Sequence, residues 1–159
     1  MKRYIVIVSI LFGLGFVACK KSGGPPPPTP PRVPDSTVIM YATVDTALWS
    51  ADSVSGLLIP VVNDSGHYNL SITATKASTG ANASVMYLYI SNYTGAGSYN
   101  ISPPAVSATF YSGAIRHYAL SGQVSITNDS TSDLQGIFNF VTDSSNGLNV
   151  TNGVFRFPL

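Results

Sequence analysis

The sequence predicts an all-β domain, an antiparallel β-sandwich with a flattened closed β-barrel as the alternative. Three observations predict it. Apolar and polar residues alternate with period two along most of residues 36–159, the pattern of strands with one buried face. Turn formers rich in Gly, Asn, Asp and Pro recur between these runs. No segment combines an apolar repeat at helical spacing with capping residues. Regular short strands with frequent turns fit either a sandwich or a barrel, and alternation alone does not separate the two.

The elements follow in order. Strands are expected at Thr37–Val44, Leu48–Ser53 and Gly56–Val62, before a turn at Asn63-Asp64-Ser65-Gly66. In His67–Thr75, Tyr68, Leu70, Ile72 and Ala74 share the inward face, and His67, Asn69, Ser71, Thr73 and Thr75 the outward one. Thr79-Gly80 turns the chain into Ser84–Ser91. There Met86, Leu88 and Ile90 oppose Val85, Tyr87 and Tyr89, so both faces are apolar or aromatic. Thr94-Gly95-Ala96-Gly97 and Ser102-Pro103-Pro104 are turns, and Ser107–Ser112 is a strand. Arg116–Thr127 reads as one unbroken alternation, with Tyr118, Leu120, Gly122, Val124 and Ile126 inward and His117, Ala119, Ser121, Gln123, Ser125 and Thr127 outward. After a turn at 128–133, Leu134, Gly136, Phe138 and Phe140 point inward. Asn146-Gly147 and Asn152-Gly153 are turns beside closing strands at Val150 and Val154–Phe157. Residues 36–159 number 124 (159 − 36 + 1), the size of one domain.

The preceding residues read differently. Lys2 and Arg3 precede an apolar run, Ile5 to Val17, of about a dozen residues, where a spanning helix needs about 20. Phe16-Val17-Ala18-Cys19 resembles the lipobox of bacterial lipoproteins, with phenylalanine where leucine is usual. The resemblance implies a signal peptide over 1–18, cleavage before Cys19 and acylation of that residue. Two or three acyl chains, at about 0.8 kcal/mol per buried methylene, make an effectively permanent anchor. Cys19 is the chain's only cysteine, so no internal disulfide is available and the core alone must stabilise the domain. Residues 19–35 form a Gly/Pro-rich linker, Gly23-Gly24 acting as a swivel and the tract from Pro25 to Pro34 as a polyproline spacer of roughly 30 Å. Lys20 after the cysteine suggests outer-membrane delivery by analogy with other bacteria. Neither the cell surface nor the periplasmic face is selected, because Lys20-Lys21-Ser22-Gly23 lacks the acidic residues of surface-export signals.

Chemistry-bearing residues are few. Without Lys2 and Arg3 the chain keeps six basic residues against seven aspartates and no glutamate, which excludes nucleic acid as a partner on bulk charge. The only two histidines, His67 and His117, both fall on polar strand faces. There is no nucleophile elbow, no phosphate loop and no His/Cys metal spacing. The oxygen-rich loop Asn128–Asp133 lacks the spaced acids and closing glutamate of a calcium loop and reads as a solvated hairpin turn. The sequence therefore predicts no enzyme, cofactor or metal site. Six of the seven aspartates are followed by Ser or Thr, a favoured turn pair. Asp35-Ser36-Thr37, Asp45-Thr46-Ala47, Asp52-Ser53-Val54 and Asp129-Ser130-Thr131 also resemble the O-glycosylation motif of exported Bacteroidota proteins, which would place sugars on Ser36, Thr46, Ser53 and Ser130. Tyr87 and Tyr89 form either the second buried face of a central strand or an exposed ligand face, joined by Tyr41, Tyr111 or Trp49. Trp49 by itself reads as a core anchor.

The ordered segments Ala42-Thr43-Val44, Leu48-Trp49-Ser50-Ala51, Gly97-Ser98-Tyr99-Asn100-Ile101, Gly122–Thr127, Gly136–Phe140 and Val150–Phe155 resemble a family of small uncharacterised lipoproteins of Bacteroidota, a domain of unknown function. Asp45-Thr46-Ala47 departs from that pattern, where Asn-Gly would be usual. The resemblance implies location and fold and brings no activity. The expectation is an outer-membrane lipoprotein of the cell envelope whose non-catalytic β domain binds or supports an envelope protein. The alternative is a carbohydrate-binding module that captures glycans.

Overall fold

The computed structural model describes residues 38–62, 64, 66–77, 83–143 and 147–159. The signal, Cys19, the linker and Ser36 lie outside the described residues. Residues 34–159 form one compact unit. No helix occurs among the described residues, so none there is long and apolar enough to cross a membrane.

Among the described residues ten strands are present: β1 (Ile39–Val44), β2 (Ala47–Ser50), β3 (Ser53–Pro60), β4 (Tyr68–Lys76), β5 (Ser84–Tyr93), β6 (Gly97–Asn100), β7 (Val106–Ser112), β8 (Ile115–Ser130), β9 (Asp133–Thr142) and β10 (Asn149–Phe157). They form one antiparallel sheet in the order β2-β1-β10-β9-β8-β7-β5-β4-β3, with β6 added to β8. The sheet curls into a half-barrel around a single core. β6 lies partly where the sequence suggested only a turn; its four residues pair with Gln123–Ile126.

The curl has a local cause. A bulge places one extra residue in a strand, bends it and tightens its twist. In β8, Ala119 faces Thr142 while Ser121 already faces Val141, so Leu120 is the extra residue. A second irregularity falls between Ile126 and Asn128. In β5 and β10 the extra residues coincide with Asn92 and Asn152, at φ 50° and 51°, a left-handed conformation that asparagine tolerates. Asn152-Gly153 is therefore a bulge within a continuous strand and not a turn between two short ones.

The β8 bulge corrects the predicted faces. Leu120 and Ser121 both point outward, so the alternation reverses there. Upstream, His117 and Ala119 are buried while Tyr118 and Leu120 are exposed, the opposite of the sequence expectation. Downstream, Val124 and Ile126 are buried as expected. Tyr68 is likewise exposed, whereas Leu70, Ile72 and Ala74 are fully buried.

Trp49 is the core anchor that the sequence suggested. It is 5% exposed, packs edge-on against Phe110 at 5.9 Å, and its indole N–H donates to Ser84 Oγ at 2.7 Å. That bond satisfies the one polar atom of a buried indole. Its strand leads directly into the corner at Ala51-Asp52. There the Ala51 N–H donates to the Met40 carbonyl of β1, and the next N–H, of Asp52, donates to the Thr75 carbonyl of β4. Two consecutive residues thus hydrogen-bond to strands near opposite ends of the sheet.

Candidate ligand face

The inner and outer faces of β5 differ sharply. Met86, Leu88 and Ile90 are buried in the core, while Tyr87 is 42% exposed and Val85 and Tyr89 are half-buried. Of the two alternatives for Tyr87 and Tyr89, an outer face open to solvent is the one present.

The register builds a site around Tyr87. Thr109 of β7 pairs with Tyr87 on one side and with Tyr118 of β8 on the other. Two strand spacings put the tyrosine backbones roughly 10 Å apart. Thr109 is only 7% exposed although it faces outward, whereas Tyr118 is 49% exposed. The three residues therefore form one row on the outer face, a nearly covered threonine between two exposed phenols. Tyr111 closes one end, its ring 6.1 Å from that of Tyr87 and nearly edge-on. Arg116, paired with Tyr111, extends its guanidinium carbon 4.1 Å from the Tyr118 ring centre and 5.4 Å from that of Tyr111. Such cation–π contacts contribute about 0.5–1 kcal/mol at exposed sites and favour the guanidinium's position beside these rings.

Sequence reasoning found Tyr87, Tyr89 and Tyr111 but missed Tyr118, Thr109 and Arg116. Tyr118 was assigned inward because the alternation was carried through the bulge. The warning signal was Gly122, a glycine in the interior of an otherwise regular strand. Trp49 is excluded from the face by its burial, and Tyr41 by β10 and β9, which lie between β1 and β8.

The remaining sequence candidates lie elsewhere. Thr46 is exposed in the β1–β2 turn and Ser53 is exposed at the start of β3, while Ser130 is half-buried and donates to the Asp133 carbonyl. The Asp partners of Thr46 and Ser53 serve the backbone. Asp45 Oδ1 accepts from the Asn149 N–H at 2.9 Å, and Asp52 Oδ2 from the Ala77 N–H at 2.8 Å. His67 is half-buried, with Nδ1 2.8 Å from Asp64 Oδ1. His117 is buried on the core side, contrary to the solvated position expected. Among the described residues no group of three His, Cys, Asp or Glu side chains is placed to hold a metal ion.

The turn expected over 128–133 is shorter: Asn128–Ser130 pair with Asp133–Gln135, only Thr131-Ser132 turn the chain, and Asp133 is committed within the protein. Arg156 Nε lies 3.2 Å and 3.0 Å from its two oxygens, and Gln135 donates to it as well. Burial raises the Asp133 carboxyl, but the hydrogen bonds from Gln135 and Arg156 and the arginine charge outweigh it and hold the group below its ordinary range. A folded value below the unfolded one stabilises the protein above the unfolded value, about 3.9, and that contribution is lost as pH falls through the folded value. Asp133→Asn is therefore expected to lower the urea midpoint at neutral pH, by an amount corresponding to about 1 kcal/mol. The gap to the parent protein should narrow steadily on acidification below the unfolded value; a gap independent of pH would remove the charge from the explanation.

Compared with family models, curated proteins and solved structures, the chain matches none. The outer face must be interpreted on its own chemistry. It offers exposed aromatic rings with phenol hydroxyls and one cation beside them. This arrangement suits adsorption of a flat, hydroxyl-rich molecule.

Proposed function

We propose that the protein is a lipid-anchored, non-catalytic binding module of the bacterial envelope, and that its outer tyrosine face captures glycans. The observation that carries the glycan reading is the Tyr87–Thr109–Tyr118 row on the sheet's outer face, in which both tyrosines are exposed. Sugar rings present C–H faces to phenol rings and hydroxyls to their polar tips, and tyrosine supplies both. The anchor rests on Cys19 and its lipobox-like context, and outer-membrane placement on Lys20. The reading of the domain as an envelope-protein partner is the second one, and glycan binding distinguishes the two.

The finer architecture belongs to the same proposal. Of the sandwich and the flattened barrel, the barrel is supported by the Ala51-Asp52 corner, which hydrogen-bonds to β1 and β4 in successive residues. The exposed Thr46 and Ser53 fit the O-glycosylation reading. An intact mass equal to peptide plus lipid alone would remove it.

Two measurements test the function. Cys19→Ala is expected to abolish palmitate labelling and release the protein from the membrane pellet; continued sedimentation with membranes would end the anchor reading. The full chain, solubilised in detergent, is expected to bind members of a glycan array, and Tyr87→Ala with Tyr118→Ala to weaken that binding roughly tenfold. An array without any bound glycan would leave the partner-protein reading.

A further inference from the structure

We infer that the glycan taken by this face is acidic, a sugar ring lying over Tyr87 and its carboxylate received by Arg116, whose guanidinium rests on the neighbouring Tyr118 ring. The inference rests on the glycan reading and adds the substrate class. Its first support is charge. Strands β3, β4, β5 and β7 contain no acidic residue, nor do residues 115–121 of β8. Among the described residues the ion pairs are His67–Asp64 and Arg156–Asp133, and no carboxylate pairs with Arg116. An exposed guanidinium beside this row is thus left without an anion from the neighbouring strands.

The second support is geometry. A guanidinium binds aromatic rings through its flat faces and carboxylates through its in-plane N–H groups. The Tyr118 and Tyr111 rings contribute no anion, so a ligand carboxylate can meet the N–H fork while the guanidinium stays beside the rings. Those two contacts also restrict the side chain before binding, which lowers the ordering cost of a charged hydrogen-bonded pair. Arg116 stands two residues from Tyr118 on the same strand face. The Tyr111 ring lies between Arg116 and Tyr87, 6.1 Å from the Tyr87 ring and 5.4 Å from the guanidinium carbon, so a carboxylate on a sugar over Tyr87 lies within reach of Arg116.

The test uses the detergent-solubilised full chain with oligogalacturonate, oligoalginate and heparosan oligosaccharides, each beside its counterpart with carboxyls reduced to alcohols. The expected result is binding of at least one acidic oligosaccharide, weakened roughly tenfold or more by carboxyl reduction. Arg116→Gln should weaken the acidic ligand equally and leave the reduced one unaffected. Arg116→Lys, which keeps charge but loses the fork, should fall between, and added salt should weaken only the acidic ligand. Equal binding of acidic and reduced sugars, with Arg116→Gln silent, overturns the acidic specificity and leaves the glycan reading standing. Binding of neither set, here or on the glycan array, removes both.

Discussion

Gly122→Ala is expected to destabilise the domain by about 3 kcal/mol or more, enough to depopulate the native state of a marginally stable protein. Two independent causes combine. Gly122 sits at φ +142°, a region that residues with a Cβ rarely adopt. A Cβ built there would also fall 2.2 Å from the Asn139 carbonyl oxygen and 2.6 Å from the Phe140 Cα, both backbone atoms of β9 that cannot rotate away. The position is pivotal. It follows the β8 bulge, and its carbonyl accepts from the Ile101 N–H at 2.9 Å just beyond β6. Gly66 provides the control, with φ +104° and no atom within 4 Å of its virtual Cβ. Gly66→Ala therefore measures backbone strain alone, about 1 kcal/mol. Urea unfolding followed by the fluorescence of Trp49, the chain's one tryptophan, measures both. Equal losses in the two variants would refute the clash with β9.

Phe138→Ala is expected to cost about 3–5 kcal/mol, the range for deleting a buried aromatic side chain. Phe138 is buried and stacks on Phe140 and Phe155, each at 6.3 Å. It also covers its cross-strand partner Gly153. The three nearest atoms to a Cβ at Gly153 are all Phe138 ring carbons, at 2.5–2.6 Å. Gly153→Ala alone should therefore cost about 1–3 kcal/mol by overpacking. The pair is where additivity should fail. With the ring gone the methyl has room, so the double variant should be more stable than the sum of single losses predicts. Gly136→Ala with Phe155→Ala is the contrast. There a Cβ meets both the Phe155 ring and the Ser125 carbonyl oxygen at 2.5 Å, so removing the ring leaves a backbone clash. Strict additivity at Gly153 and Phe138 would show that the ring does not occupy the space above the glycine.

The strands themselves were largely legible in the sequence. Period-two alternation located β4, β5, β7, β8 and β9 because each has one face in a single core, and Leu134, Gly136, Phe138 and Phe140 point where the pattern put them. The largest failures fall where one residue was added; Tyr68 at the start of β4 and the short β6 are the others. The extra residue at Leu120 reversed the faces of residues 117–120, concealed Tyr118 and buried His117. Asn152-Gly153 looked like a turn because asparagine and glycine serve tight turns and strand bulges through the same left-handed backbone. The site was half legible. Tyr87 and Tyr89 were visible as a second aromatic face, but a strand with two apolar faces reads alike whether the second is covered or open.

The sequence by itself determined the strand class, the core side of most strands, the lack of any internal disulfide and the features around Cys19 on which the anchor reading stands. These follow from composition and local periodicity, which neighbouring residues impose on one another. Only the tertiary structure decided that the sheet curls into a half-barrel, that the outer face of β5 is open, and that Thr109, Tyr118 and Arg116 stand beside Tyr87. Register across strands far apart in sequence sets those neighbours, and a single bulge changes which side chains meet.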